Sequence, residues 1–187
     1  MSLAASELGR FLAQHKILVA APAMVLVSLL LLLARENGPT PASGGGPIDL
    51  VARLRARSGW IENAVGRARA EDGHGLFLHP SMARQRPAQA VFPITLPPRS
   101  CFAAGLMLTS ARGDGVIFEV ELASRSESRT IIREVLAPDR QTLDVWRPIP
   151  ARFCDRPVEL RLRTRPGPTD NWDWARFEAP RIVPCGG

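Results

Sequence analysis

Two stretches of this 187-residue chain carry apolar side chains at every second position. In Gly115–Leu122, the residues Val116, Phe118, Val120 and Leu122 share one parity, against Ile117, Glu119 and Glu121 on the other. In Val158–Thr164, Val158, Leu160 and Leu162 oppose Glu159, Arg161 and Arg163. A period of two sends successive side chains to opposite faces of an extended strand, and one apolar face per strand is the pattern of an antiparallel sheet with one dry side. Further strands are predicted at Leu76–Leu78, Ala90–Leu96, Phe102–Thr109, Thr130–Leu136, Leu143–Ile149 and Trp174–Val183. Turn signals divide them: Pro97-Pro98, Gly113-Asp114-Gly115, Pro138-Asp139 and Pro166-Gly167-Pro168. Pro93 lacks an amide proton and restricts its strand to an edge or a bulge. Short strands at this spacing predict an all-β jelly-roll sandwich over residues 76–187. Phe177, Trp174 and Trp146 are read as core from the usual burial of large aromatics.

A second feature is of a different kind. Of the eighteen residues Ile17–Ala34 (ILVAAPAMVLVSLLLLLA), sixteen are apolar and none is charged. At about 1.5 Å per residue a helix of that length spans roughly 27 Å, close to the hydrocarbon thickness of a bilayer. A cleaved signal peptide has a shorter apolar core ending in small residues; this run ends in Leu33-Ala34-Arg35-Glu36, so it is read as an uncleaved transmembrane helix. Arg10 and Lys16 precede it, whereas Arg35 is offset by Glu36. The positive-inside rule then places residues 1–16 as a cytoplasmic tail and the C-terminal domain in the periplasm, with the helix in a bacterial inner membrane. Residues 35–47 form a flexible linker rich in Gly, Pro and Ser, and its twelve residues Glu36–Pro47 have an r.m.s. reach of about 20 Å.

Residues 48–75 are read as a juxtamembrane segment with a short basic helix at Ile48–Arg57. Pro47 and Asp49 suit its start, and Leu50, Val51 and Leu54 fall on one face. Arg53, Arg55 and Arg57 lie around the other side and are candidate contacts for a membrane surface or a partner. The preferred alternative is a helix packed on its own domain with its arginines in water.

Composition removes several function classes. The chain has no GxGxxG, P-loop, HExxH or GxSxG motif, and its three histidines are scattered. Residues 37–187 carry 21 basic and 16 acidic groups, all the basic ones Arg. Because the arginines are interspersed with acids and the anchor places the domain outside the cell, nucleic acid is not expected as a partner. No catalytic residue, cofactor or metal site is assigned.

The strings LFLHP (Leu76–Pro80), VFPITLP (Val91–Pro97), GDGVIFEV (Gly113–Val120), VELRLRTRPGP (Val158–Pro168) and NWDWARFEAPRI (Asn171–Ile182) occur in that order. Over roughly residues 76–183 they resemble galactose-binding-like β-sandwiches, nearest to the carbohydrate-binding modules of bacterial exported and membrane proteins. The resemblance implies an eight-stranded jelly roll whose loops bind glycans and sometimes a structural calcium ion. Sugar sites need an exposed aromatic face and planar polar side chains. Trp172, with Asp170, Asn171 and Asp173 beside it, is the candidate glycan or partner contact. The preferred local reading of that cluster is a turn in which Asp and Asn bond the backbone, so no calcium is assigned.

Cys101, Cys154 and Cys185 are an odd set, and export favours a disulfide. With alternating strand directions all three fall at the same end of the sandwich, so three pairings stay open; Cys185 could instead be free or bridge to another chain. The functional expectation is a non-enzymatic accessory subunit whose helix docks on a larger membrane complex while the sandwich binds its outer surface. The alternative is a membrane-tethered module recognising an envelope glycan. The anchor makes a direct prediction: the full chain sediments with membranes and stays there through alkaline carbonate and high-salt washes, and its release by either wash would contradict a spanning helix.

Overall fold

The inner faces of two antiparallel sheets supply the core of the computed structural model, which describes residues 46–64, 70–71 (backbone only), 74–80, 86–169 and 174–186. The chain divides into two compact units, and every described residue belongs to the second, Ser43–Gly187. The transmembrane reading of Ile17–Ala34 lies outside the described residues, as does the Asp170–Asp173 cluster. Among the described residues no helix is long and apolar enough to cross a membrane.

The chain runs through β1 (Ile48–Asp49), α1 (Leu50–Arg55), β2 (Trp60–Glu62), β3 (Ala70–Glu71), β4 (Gly75–Phe77), β5 (Ala88–Thr95), β6 (Ser100–Leu108), β7 (Val116–Ala123), β8 (Ser128–Leu136), β9 (Thr142–Pro148), a 3-10 turn (Ala151–Phe153), β10 (Pro157–Pro166) and β11 (Ala175–Pro184). One sheet has the order β3-β4-β11-β6-β9, with β1 also paired to β11; the other has the order β2-β5-β10-β7-β8. All eight strands expected from the alternation are present. The short β1, β2 and β3 were not expected: each is two or three residues long, too short to show a period.

The alternation places the core as its parity requires. Val116, Phe118, Val120 and Leu122 on β7 and Val158, Leu160 and Leu162 on β10 are all buried. They face Phe102, Leu106 and Leu108 of β6 and Phe177 and Ile182 of β11 in one cluster. Phe118 and Phe177 meet edge to face across the sheets, 5.2 Å between ring centroids. The one inward hydroxyl of β10, Thr164, donates to the Leu78 carbonyl at 2.9 Å and so avoids the cost of a buried unpaired group. Pro93 sits on β5 opposite Glu159 of β10, beyond the reach of β2, which pairs only with Gln89–Val91; its strand is an edge locally, as its missing amide requires.

Trp146 and Trp174 are corrections to the sequence reading. They are 47% and 44% exposed, on the outer face of their sheet, while Phe177 is fully buried. Strand parity explains both. Trp146 shares its face with Asp144 and lies opposite to Val145, and Trp174 is three residues from Phe177, an odd step that reverses the face.

Helix α1 starts where Asp49 accepts hydrogen bonds from the amides of Val51 (2.8 Å) and Ala52 (3.0 Å). Leu50 and Val51 are buried in the sandwich core. Arg53 donates to the Pro93 carbonyl at 3.1 Å, and burial pulls its guanidinium below the ordinary value. Arg55 and Arg57 are exposed.

Of the three open pairings, the structure has Cys101–Cys185, closing a separation of 84 residues with Cα atoms 5.1 Å apart. The bond ties the start of β6 to the end of β11, where the Cys185 amide also donates to the Arg99 carbonyl at 2.7 Å. Cys154 is free and buried, and burial raises its thiol pKa, keeping it protonated and unreactive. Cross-linking a loop of this length restricts the unfolded chain, so Cys101→Ser or Cys185→Ser should cost about 2–5 kcal/mol in a denaturant titration. Mass spectrometry of the unreduced protein should show one disulfide and one thiol that reacts only after unfolding; three reactive thiols in the folded protein would contradict the pairing.

Candidate functional site

The two outer sheet faces differ in how they use their charges. On the face of β2-β5-β10-β7-β8, cross-strand neighbours neutralise one another. Glu119 is bonded by Arg133 at 2.6 Å and Arg165 at 3.0 Å. Glu121 is bonded by Arg161 at 2.9 Å and by Arg163, and Arg161 also holds Glu159 at 2.5 Å. Burial would lower the Arg161 guanidinium, but Glu159 and Glu121 outweigh that and hold it above its ordinary value. Arg163 donates to Gln89, Gln89 to Glu62, and the Trp60 indole to Glu62 at 2.5 Å. The Trp60 and Gln89 bonds hold the Glu62 carboxyl below the usual range. On this face Arg133, Arg161, Arg163 and Arg165 form a lattice satisfied by Glu119, Glu121 and Glu159. Sequence reading counted the arginines but could not see the register that pairs them.

The face of β3-β4-β11-β6-β9 is built differently. Its central strand, β6, turns Ala103 and Gly105 outward, and these small residues form the floor of a trough. On one side β9 places Trp146 opposite Ala103 and Asp144 opposite Gly105. On the other, β11 places Arg181 opposite Ala103 and Glu178 opposite Gly105. The two walls are one strand apart from the floor on each side, about 10 Å from each other. The trough encloses about 410 Å³. Gly105 keeps it open: a Cβ there would lie 3.1 Å from the Glu178 Cβ and 3.4 Å from Asp144 Oδ1.

The wall on β11 depends on a bulge. Between Glu178 and Arg181 the register with β6 slips by one residue, so Phe177 and Ile182 both point inward although five positions separate them. The slip turns Arg181 outward into the trough. Ala179, at the bulge, has φ 43° in the left-handed region, and its amide donates to the His74 carbonyl at 2.5 Å. A non-glycine residue held there marks a place where the surrounding structure dictates the backbone.

The polar groups of the trough contrast with the bonded arginines and glutamates of the opposite face. Glu178 is paired with Arg176 at 2.6 Å, but Asp144 and Arg181 have no hydrogen-bonding or ion-pair partner among the described residues. They stand beside the exposed indole of Trp146. Counting Arg176, the group is formally neutral. Such a set can stack the apolar face of a ring on Trp146 while a carboxylate and a guanidinium bond its edge. Trp174 forms a second exposed aromatic, edge to face with Phe77 at 6.5 Å, next to residues 170–173.

None of the residues singled out from the sequence lies in this trough. Arg53, Arg55 and Arg57 are on and after α1, Cys101 and Cys185 form the disulfide, Cys154 is buried, and Asp170, Asn171, Trp172 and Asp173 lie outside the described residues. Trp146 was read as core and Asp144 was not singled out, although the parity of β9 turns both outward, opposite to Leu143 and Val145. Arg181 was not legible, because strict alternation without the bulge turns it inward. Among the described residues no group of three His, Cys, Asp or Glu side chains is placed to hold a metal ion.

No protein-family model and no curated protein matches the chain. Solved structures do. The carbohydrate-binding module CBM51 from Clostridium perfringens GH95, solved with methyl-galactose, superposes with a TM-score of 0.52 at 14% identity, covering 73% of this chain and 99% of that one. The C-terminal CBM6 of a laminarinase from Zobellia galactanivorans gives a TM-score of 0.44 at 12% identity, over 73% and 97% of the two chains. The N-terminal cellulose-binding domain of a Cellulomonas fimi β-1,4-glucanase gives 0.46 at 11% identity, over 68% and 88%. The first of these shows a shared sandwich fold, in agreement with the galactose-binding-like resemblance of the sequence.

The backbone at the bulge gives a counter-intuitive prediction. Ala179→Gly, ordinarily destabilising in a strand, should leave stability unchanged or raise it by about 0.5–1 kcal/mol, because glycine accepts a positive φ without steric cost. A loss of more than 1 kcal/mol in a denaturant titration would contradict the left-handed conformation.

Proposed function

We propose that the chain is a non-catalytic, membrane-tethered carbohydrate-binding module of jelly-roll form, which takes a neutral saccharide in the trough floored by Ala103 and Gly105. Trp146 stacks on the apolar face of a sugar ring. Asp144 accepts hydrogen bonds from its hydroxyls, Arg181 donates to them, and Glu178, positioned by Arg176, borders the far side. The observation that carries this reading is the coincidence of an exposed indole with an unpartnered carboxylate and guanidinium on the two walls of one trough. The shared fold with a module solved with methyl-galactose makes galactose the first ligand to test.

The accessory-subunit reading drew on the single anchor, the short tether and a small arginine-rich sandwich without an evident site. Arg133, Arg161, Arg163 and Arg165 are already bonded to Glu119, Glu121 and Glu159, and the trough supplies a candidate ligand site, so the glycan reading takes precedence. Residues 17–34 serve as the anchor in the inner membrane and the module stands on the periplasmic side. A disulfide closing the sandwich favours that oxidising compartment.

Titration of the full chain in a non-glycosidic detergent with methyl-galactoside and with neutral oligosaccharides tests the proposal. Trp146→Ala should weaken binding at least tenfold, about 1.4 kcal/mol, with little change in stability because the side chain is exposed. Trp172→Ala measures whether residues 170–173 contribute. Absence of binding to every neutral sugar, or binding indifferent to Trp146, would overturn the reading.

A further inference from the structure

We infer that the trough continues into a second subsite, so that the ligand is a saccharide chain of two or more units and not a lone terminal sugar; this rests on the trough being a glycan site. Strands β1 and β4 pair with the same edge of β11. β4 covers Arg176–Glu178, and β1 covers Arg181–Ile182. Ala179 and Pro180, the bulged residues between them, are left without a strand on that side.

The gap opens as a cavity of about 210 Å³ lined by Pro47, Asp49, His74, Ala179, Pro180 and Arg181. Ala179 and Arg181 also line the larger trough, so the two spaces meet over the bulge. On its own the smaller cavity falls below the roughly 300 Å³ at which small-molecule pockets begin. Its size suits an extension of the trough.

Its chemistry is that of a hydroxyl-bonding subsite without a stacking platform. Asp49 uses Oδ1 to cap α1, and its second oxygen has no partner among the described residues. The His74 carbonyl is taken by the Ala179 amide, but its imidazole is exposed and has no partner among the described residues. Arg181 borders both spaces and can donate from its planar fork to groups in each. One unit stacks on Trp146, and the next lies over the bulge, held by hydrogen bonds to Asp49, His74 and Arg181. Arg181 is shared between the two spaces, so Asp49 adds one carboxylate to the combined set, which disfavours an anionic unit here.

The experiment compares methyl glycosides of galactose, glucose and mannose with their oligomers of two to four units, on the full chain in non-glycosidic detergent. Affinity should rise at least fivefold from one unit to two and level off thereafter. His74→Ala should weaken the two-unit ligand at least threefold more than the methyl glycoside, and His74→Gln, which keeps a donor and an acceptor, should restore part of the difference. Equal affinity for one and two units, or an equal loss of both in His74→Ala, would overturn the second subsite while leaving the trough intact. If no member of the series binds in a Trp146-dependent way, the glycan reading itself fails and the subsite with it.

Discussion

The contact between Phe118 and Phe177 fixes the relation of the two sheets, and the outer faces inherit their arrangement from it. Each ring is fully buried and comes from an interior strand of its sheet, β7 on one side and β11 on the other. An edge-to-face pair at 5.2 Å combines the area burial of two large side chains with a preferred ring geometry. Once Phe177 points inward, Arg176 and Glu178 must point outward, and the same holds for Ile117 and Glu119 around Phe118. The positions of Arg176, Glu178 and Glu119 follow from that one interior choice.

Strand β11 then departs from strict alternation, and the departure shapes the surface. Without the extra residue between Glu178 and Arg181, Arg181 would enter the core and Ile182 would face water. The bulge exchanges them, so the core gains an isoleucine and the trough gains a guanidinium. It also breaks the ladder with β1 and β4 into two separate pairings. The cost is a left-handed backbone at Ala179, which is held by its bond to His74 on the adjoining strand end and by the register of β6 on the other side. Farther along, the Cys101–Cys185 disulfide fixes the end of the same strand to β6. The bulge therefore lies between two constrained stretches, which keeps the trough wall in one geometry.

Much of this architecture could be read from the residues because alternation is a local signal. Val116 to Leu122 and Val158 to Leu162 define their strands and buried faces without knowledge of any partner. What escaped falls into three physical classes. Strands of two or three residues, such as β1 and β2, are too short for a period and form only because a longer neighbour offers its edge. Register is invisible in one dimension, so Glu119 and Arg133 could be placed on outward faces but not against each other. The tryptophans escaped for a different reason: the general tendency of large aromatics to be buried was set above the parity of Asp144 and Trp146, and of Trp174 and Phe177. Parity was the stronger physical constraint, since a strand cannot turn residues an odd step apart to the same side without a bulge.

The contrast between the two outer faces bears on the proposal that one of them takes a neutral ligand. A guanidinium bonded to glutamates on neighbouring strands has its donors spent, and a ligand would have to break those bonds before making its own. Arg161 and Arg163 are in that position. Arg181 is not, and neither is Asp144, so in the trough a ligand displaces only water. The floor matters equally. Ala103 and Gly105 leave the space between the walls unfilled, whereas a larger outward residue on β6 would occupy it and bridge Asp144 to Glu178. Small outward side chains on β6 forgo surface packing, and the charges on its two neighbours keep their bonding capacity free. Their occurrence at one place, with an exposed indole at the same level, is best accounted for by a partner molecule that completes them.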